Sequence, residues 1–103
     1  MNRIQIPRIV SLPTVAAEVP ALFDSLGMTF QPIATVNWPA EYPYCPEVAF
    51  RMAWCPDGLV LHYRVSEQSV RAVYSKDNDQ VWTDSCVECF VRNADSNTYY
   101  NIE

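Results

Sequence analysis

The chain has little glycine, almost no lysine and no long apolar run. Its 103 residues include two glycines, one histidine and a single lysine, against eight prolines that all lie in the first 56 positions. Proline in a helix interior removes a backbone hydrogen bond and clashes with the preceding turn, so this spacing argues against a bundle of long helices. No apolar run reaches the about 20 residues that a membrane-spanning helix needs. The composition therefore predicts a small domain built from short elements.

The charge pattern excludes two classes of partner. The net charge is −5, with 12 acidic against 7 basic residues, and no window clusters lysine and arginine. Binding to a phosphate backbone or to an anionic lipid surface requires a basic patch. We therefore expect no nucleic-acid partner and no membrane partner.

The N-terminus does not have the pattern of a signal peptide. Pro7, Pro13, Glu18 and Pro20 interrupt the first 23 residues, so there is no continuous apolar core. We expect a cytoplasmic location. A periplasmic or secreted location stays open if an export signal has been trimmed from the chain.

Two runs of alternating apolar residues predict a β-hairpin. Residues 47–55 and 59–67 each place apolar residues at every second position, and Pro56-Asp57-Gly58 between them is a turn sequence. The two apolar faces carry Val48, Phe50, Met52, Trp54, Leu59, Leu61, Tyr63 and Val65. We interpret Trp54 as a core tryptophan of this hairpin.

Shorter patterns predict the other elements. Further strands are expected near 30–36, 85–92 and 98–103, and apolar residues at helical spacing over 14–26 indicate a short or broken helix. Thr14 is the expected helix start and Gly27 the expected end. The predicted fold class is mostly β, an antiparallel β-sandwich with a short N-terminal helix.

The four cysteines do not form a metal-binding pattern. Cys86 and Cys89 have the C-x-x-C spacing, yet residues three apart on a strand point to opposite faces, so both thiolates could not reach one ion. No second ligand pair accompanies them, and His62 is the single histidine. We expect structural, reduced cysteines, no metal ligands and no cofactor. Calcium at the acidic loop 77–79 is the open alternative.

Asp84 and Glu88 are the nearest approach to a catalytic acid pair. Glycosidase carboxylates lie roughly 5 to 9.5 Å apart, whereas four residues of a strand span roughly 13 Å. His62 lacks the neighbours of a nucleophile–base pair. We therefore predict no catalytic residue, and a binding module in preference to an enzyme.

Trp82 is the residue whose setting favours a binding role. It follows a polar, acidic stretch and precedes Thr83-Asp84-Ser85. An aromatic plane can pack on the C–H face of a sugar ring, while nearby carboxylate and guanidinium groups bind its hydroxyls. From the residues alone, a core position and a ligand platform are equally open for Trp82.

The same stretch carries a family resemblance. Its most specific part is Val81-Trp82-Thr83-Asp84-Ser85-Cys86-Val87-Glu88. Supporting pieces are Asn37–Glu41, Tyr42-Pro43-Tyr44, Val48-Ala49-Phe50-Arg51, Leu59–Val65, Val70-Arg71-Ala72 and Tyr99-Tyr100-Asn101. Over most of its length the chain resembles the carbohydrate-binding module family 9-like domains, which are DOMON-like β-sandwiches often found in sugar-processing bacteria.

The resemblance implies a jelly-roll-type sandwich that holds a sugar between two aromatic side chains. Trp82 matches one of these aromatics, Glu88 matches a hydrogen-bonding acid, and Arg71 is a weaker match. The implied function is non-catalytic binding of a mono- or oligosaccharide. Two alternatives stay open: an accessory part of a glycoside hydrolase system with catalysis elsewhere, and a protein-interaction sandwich that binds no sugar.

The family domain is longer than this chain. We therefore expect residues 1–103 to be one such domain truncated at its C-terminus, with a helix-bearing extension over 1–36 and sandwich strands over 37–103. A half-sandwich leaves an apolar face and a strand edge uncovered, and such surfaces drive association. If the product is 103 residues long, we expect a homo-oligomer.

Overall fold

A computed structural model describes residues 3–103, so the first two residues of the predicted N-terminal extension lie outside the described part. The chain divides into two compact units, Met1–Ser66 and Glu67–Glu103, each with its own antiparallel sheet. The elements are a 3-10 turn Ala16–Glu18, α1 Val19–Ser25, β1 Gln31–Ile33, β2 Glu47–Cys55, β3 Gly58–Ser66, a second 3-10 turn Val81–Thr83, β4 Cys89–Val91 and β5 Tyr100–Ile102. The prediction of a mostly β, antiparallel fold with a short N-terminal helix is confirmed, and these sheets are consistent with an incomplete β-sandwich. In residues 3–103 no helix has the length and apolar character to cross a membrane.

The β2–β3 hairpin is the longest pairing in the first unit and confirms the predicted hairpin. Its register runs from Glu47 opposite Ser66 to Cys55 opposite Gly58, which leaves Pro56 and Asp57 as a two-residue turn. Proline fixes its own φ near −65° and so favours the first corner of such a turn.

Two segments pair with the other edge of β2. Strand β1 is antiparallel to the start of β2, with Gln31 opposite Phe50. Near the end of β2, the Ile9 N–H donates to the Trp54 carbonyl at 2.8 Å, and the Trp54 N–H donates to the Pro7 carbonyl at 3.0 Å. The N-terminal extension is thus joined to the sheet by backbone hydrogen bonds.

Helix α1 begins later than the sequence predicts. The prediction that Thr14 starts it is wrong, because the 3-10 turn follows Val15 and neither helical segment has a side-chain cap. Pro20 lies in the first turn of α1. A backbone N–H has no helical partner there, so proline is tolerated.

The predicted end of the helix at Gly27 is confirmed. Gly27 has a φ of 65°, a conformation that glycine adopts without strain. Its N–H donates to the Asp24 carbonyl at 3.0 Å, and the Met28 N–H donates to the Phe23 carbonyl at 3.1 Å. This pair of bonds is a Schellman motif, which satisfies the last helical carbonyls.

The core of the first unit lies between α1 and one face of the hairpin. It contains Ile9, Val19, Phe23, Ala53, Cys55 and Val60, with Leu22 and Met28 packed against it. Ala53 and Cys55 are small side chains on the helix-facing side of β2, and they leave room for the fully buried ring of Phe23 between the sheet and the helix.

The opposite face of the hairpin carries the eight alternating apolar residues and is only partly covered. Their predicted alternation is confirmed, since none of them is among the buried residues of β2 or β3. The interpretation of Trp54 as a core residue is wrong: its side chain is 37% exposed, with the Arg8 guanidinium 5.3 Å from its ring centroid. The bulky apolar residues of the hairpin thus lie on this face, and the smaller ones lie on the opposite face, which packs against the helix.

A buried guanidinium joins the helix to the sheet. Arg51 is 4% exposed and lies on the helix-facing side of β2. Its Nε donates to His62 Nδ1 at 3.1 Å, its Nη1 to the Met28 carbonyl at 3.2 Å, and its Nη2 to the Pro20 carbonyl at 3.2 Å and to Asp24 Oδ1 at 2.8 Å. The ring of Phe30 lies 4.4 Å from the same group. The charge is therefore satisfied by partners from both ends of the helix and from β3.

The second unit is small and lacks a packed interior. Strands β4 and β5 pair with Cys89 opposite Ile102 and Val91 opposite Tyr100. No residue between 67 and 103 is fully buried. The predicted strands over 85–92 and 98–103 are confirmed in position but are shorter, so Cys86 precedes β4 instead of sharing a strand with Cys89.

Replacing Arg51 should destabilise the first unit. Lysine keeps the charge but loses the planar fork, so Arg51→Lys is expected to lower the free energy of unfolding by about 2 kcal/mol or more, measured by urea denaturation. Arg92→Lys, at an exposed position, is the control and should lie within about 0.5 kcal/mol of the wild type. Equal stability of the two variants would show that the Arg51 contacts contribute little.

Protonation of His62 should weaken the same unit. Burial, and secondarily the Arg51 charge, lower the pKa of His62 below its usual 6.5. The unfolded chain therefore binds a proton first, so the stability is full above pH 6.5 and decreases as the pH falls from there toward the lowered pKa. We expect the free energy of unfolding to decrease from pH 7.5 to pH 5.5. His62 is the single histidine, so His62→Gln should flatten that decrease, and an unchanged slope in the variant would contradict the assignment.

The partly covered hairpin face should drive self-association of the 103-residue chain. Light scattering is expected to give a mass above the 11.8 kDa of a monomer. Leu59→Lys introduces a charge on this face and should shift the population toward monomer. Val10→Lys, at an almost fully exposed position, is the control and should not. A sharply melting wild-type monomer would contradict this prediction.

Candidate functional site

Trp82 lies on an exposed turn beside an open cavity. The 3-10 turn Val81–Thr83 carries it, and both the N–H and the hydroxyl of Thr83 donate to the Gln80 carbonyl, at 3.0 and 2.8 Å. The indole is 60% exposed. The cavity, about 600 Å³, is lined by Tyr74, Ser75, Lys76, Asp77, Asn78, Asp79, Val81, Trp82, Asn101, Ile102 and Glu103. Its volume lies within the range of small-molecule sites.

The acidic stretch before Trp82 is a tight turn. The Asp79 N–H donates to the Lys76 carbonyl at 3.2 Å, and the Lys76 N–H donates back to Asp79 Oδ2 at the same distance. Asn78, between them, has a φ of 63°, which asparagine tolerates better than most residues. Asp79 thus organises its own backbone.

Asp84 fixes the turn to the segment that precedes it. Its side chain is 5% exposed. Its Oδ2 accepts the N–H groups of Val73 and Tyr74 at 2.7 and 2.8 Å, and its Oδ1 accepts Arg71 Nε at 2.9 Å. The backbone N–H of Tyr74 is the largest cause that holds the pKa of the Asp84 carboxyl below its usual range, followed among the stabilising contacts by the Arg71 side chain. The ionised form therefore stabilises the turn at neutral pH, and this contribution is lost as the pH falls through the lowered pKa.

Arg71 is bound to Asp84 and does not line the cavity. Its side chain is 58% exposed, so the guanidinium also faces solvent. Its backbone pairs with Ser85, whose N–H donates to the Arg71 carbonyl at 2.8 Å and whose Oγ accepts the Arg71 N–H at 2.9 Å.

Glu88 lies just before β4 in a small cluster of acidic and thiol groups. The Cys86 thiol donates to Glu88 Oε1 at 3.8 Å. Ligand atoms of Cys86, Glu88 and Glu103 lie within 4.8 Å of one another, the one group of three such residues in the described part of the chain. Partial burial raises the pKa of the Cys86 thiol, and the charges of Glu88 and Glu103 raise it further. A thiol held in its protonated form is a poor metal ligand.

The four cysteines are Cys45, Cys55, Cys86 and Cys89. All four are free thiols in the structure. The acidic loop 77–79 contributes no member to the group of Cys86, Glu88 and Glu103.

The structure brings Trp82 together with two residues that the sequence did not single out as site residues. Asn101 and Glu103 line the same cavity, and Glu103 connects it to Glu88. The resemblance included Asn101 without a role. Neither residue is near Trp82 in sequence, so only the folded chain reveals that they line one cavity.

Comparison with known proteins gives the family. Residues 17–103 match the model of carbohydrate-binding family 9. The chain belongs to carbohydrate-binding family 9. The match spans the helix, both sheets and the Trp82 turn, and it confirms the resemblance found in the sequence.

A solved structure supports the family 9 assignment. A protein of Bacteroides uniformis ATCC 8492, described as a candidate carbohydrate-binding protein, has 46% sequence identity and a TM-score of 0.79 to this chain. The match covers 93% of this family 9 chain but 44% of the Bacteroides chain. The chain therefore spans less than half the length of that relative. Comparison with curated proteins gave no significant match.

Proposed function

We propose that this chain binds a neutral mono- or oligosaccharide without catalysis, with a sugar ring stacked on Trp82. The observation that carries the proposal is the exposed indole in an open cavity whose other residues offer carboxylates, two amides and two hydroxyls. Sugar sites combine an aromatic face with convergent polar groups in this way. Membership of carbohydrate-binding family 9 supports a carbohydrate ligand.

Hydroxyl recognition is assigned to the carboxylates and amides around the indole. Glu103 and Asn101 line the cavity, and Glu88 lies against Glu103. Charged acceptors form the stronger hydrogen bonds to hydroxyl donors. Arg71, whose Nε is held by Asp84, is proposed as a further donor from the solvent side.

The charge of the cavity favours neutral sugars. Its lining includes Asp77, Asp79 and Glu103 against one cation, Lys76. A uronic acid or sulfated sugar would bring a negative charge into this surplus of carboxylates, which is unfavourable. We therefore expect neutral sugars to bind more tightly than uronic acids of the same size.

Trp82→Ala tests the proposal directly. Isothermal titration with a panel of neutral mono- and oligosaccharides is expected to give weak binding by the wild type. The affinity of Trp82→Ala should be at least about tenfold lower, since a stacked tryptophan typically dominates such a site. Trp38→Ala is the matched control, because Trp38 is equally exposed but does not line the cavity. It should bind as the wild type does.

Equal sugar binding by Trp82→Ala and the wild type would exclude Trp82 as the platform. No binding of any sugar by the wild type would reject sugar binding by this chain. That result would favour the protein-interaction alternative, for which the partly covered apolar face of β2 and β3 is the supporting observation.

A further inference from the structure

A single carboxylate joins the two ends of the turn that carries Trp82. Asp84 follows the turn in sequence. Its three hydrogen-bond partners, Arg71, Val73 and Tyr74, precede the turn. The two hydrogen bonds between Arg71 and Ser85 lie beside them. Residues 75–83 are therefore a loop closed at its base by five hydrogen bonds.

Asp84 itself is not placed to contact a ligand. Its side chain is 5% exposed, it does not line the cavity, and both of its carboxylate oxygens accept hydrogen bonds from the protein. Its partner Tyr74 does line the cavity, and so does Trp82, two residues before it. The carboxylate thus fixes two lining residues relative to each other.

We propose that Asp84 is a positioning residue for the Trp82 cavity, which holds the loop 75–83 closed so that Trp82 and Tyr74 are in place before a sugar binds. The inference rests on the proposed function for its ligand, although loop closure can be measured without one. A loop that is ordered in advance loses less conformational freedom on binding, and this raises affinity without any added contact.

The chemistry of the carboxylate explains why aspartate serves here. Three donors converge on its two oxygens, and an ionised carboxylate offers acceptor sites to all of them. The amide of asparagine has one acceptor oxygen and would direct its own N–H groups at a donor. Asp84→Asn therefore keeps the size and shape of the side chain but breaks at least one bond at the base of the loop.

Asp84→Asn should weaken sugar binding and open the base of the loop. Loss of a hydrogen bond to a charged group predicts an affinity about tenfold or more below the wild type, measured by isothermal titration. Hydrogen exchange at the N–H groups of Val73 and Tyr74 should be about tenfold faster, since these groups bond to the lost carboxylate. Asp95→Asn makes the same substitution at an exposed position between β4 and β5 and should change neither value.

The two measurements separate failure of this inference from failure of the proposed function. Affinity of Asp84→Asn within about twofold of the wild type would overturn the positioning role. A loop that lacks the Asp84 carboxylate is less ordered before binding, so the chain should bind the sugar more weakly. If the wild type binds no sugar, the proposed function fails and hydrogen exchange alone decides. Faster exchange in Asp84→Asn then supports the closed loop, and unchanged exchange overturns it.

A second variant covers the case in which Asp84→Asn does not fold. Ser85→Ala removes the neighbouring bond from the Arg71 N–H and leaves the Asp84 carboxylate intact. Its affinity should be lower by about two- to fivefold, in line with the loss of one neutral hydrogen bond. Faster exchange at the Val73 and Tyr74 N–H groups without weaker binding would overturn the inference, because the base of the loop would then open with no effect on the Trp82 cavity.

Discussion

The buried guanidinium of Arg51 is the interaction on which the first unit depends. A charge removed from water costs several kcal/mol unless it is paired and fully hydrogen-bonded, so its partners must be held in position. Here they are a carbonyl at the start of α1, a carbonyl just after its end, the carboxylate of Asp24 within α1, and the ring of His62 on β3. The helix, its termination at Gly27 and the hairpin register are thereby linked through one side chain.

The second unit is organised differently, because residues 67–103 include no buried apolar residue on which a hydrophobic core could form. The base of its loop 75–83 is held by hydrogen bonds to the Asp84 carboxylate. Such an arrangement keeps large aromatic residues, Trp82 among them, exposed instead of drawing them into a core. Hydrogen bonds to one carboxylate thus hold the base of the loop while the indole of Trp82 stays exposed.

Much of the architecture follows from local sequence. Alternation over 47–55 and 59–67 predicts β2 and β3 because a half-covered strand repeats every second residue, and Gly27 predicts the helix end because few other residues adopt its backbone conformation. The helix start predicted at Thr14 is wrong, because a side chain can cap a helix only at the position where that helix begins. The prediction of Trp54 as a core residue is wrong, because β2 has apolar residues on both faces. The size of a side chain does not show which of the two faces packs against the helix. The Trp82–Glu88 run identifies the family from sequence, and the family model agrees.

By itself, the sequence determined the fold class, the hairpin and the family, and it singled out Trp82 as a candidate binding residue. These results depend on periodicity and on residues close together along the chain. The tertiary structure alone decided which face of β2 is buried, that Arg51 is its central charge, and that Asn101 and Glu103 line the Trp82 cavity. It also showed that Asp84 closes the loop. These features depend on contacts between residues ten or more positions apart, and such contacts exist only once the chain has folded.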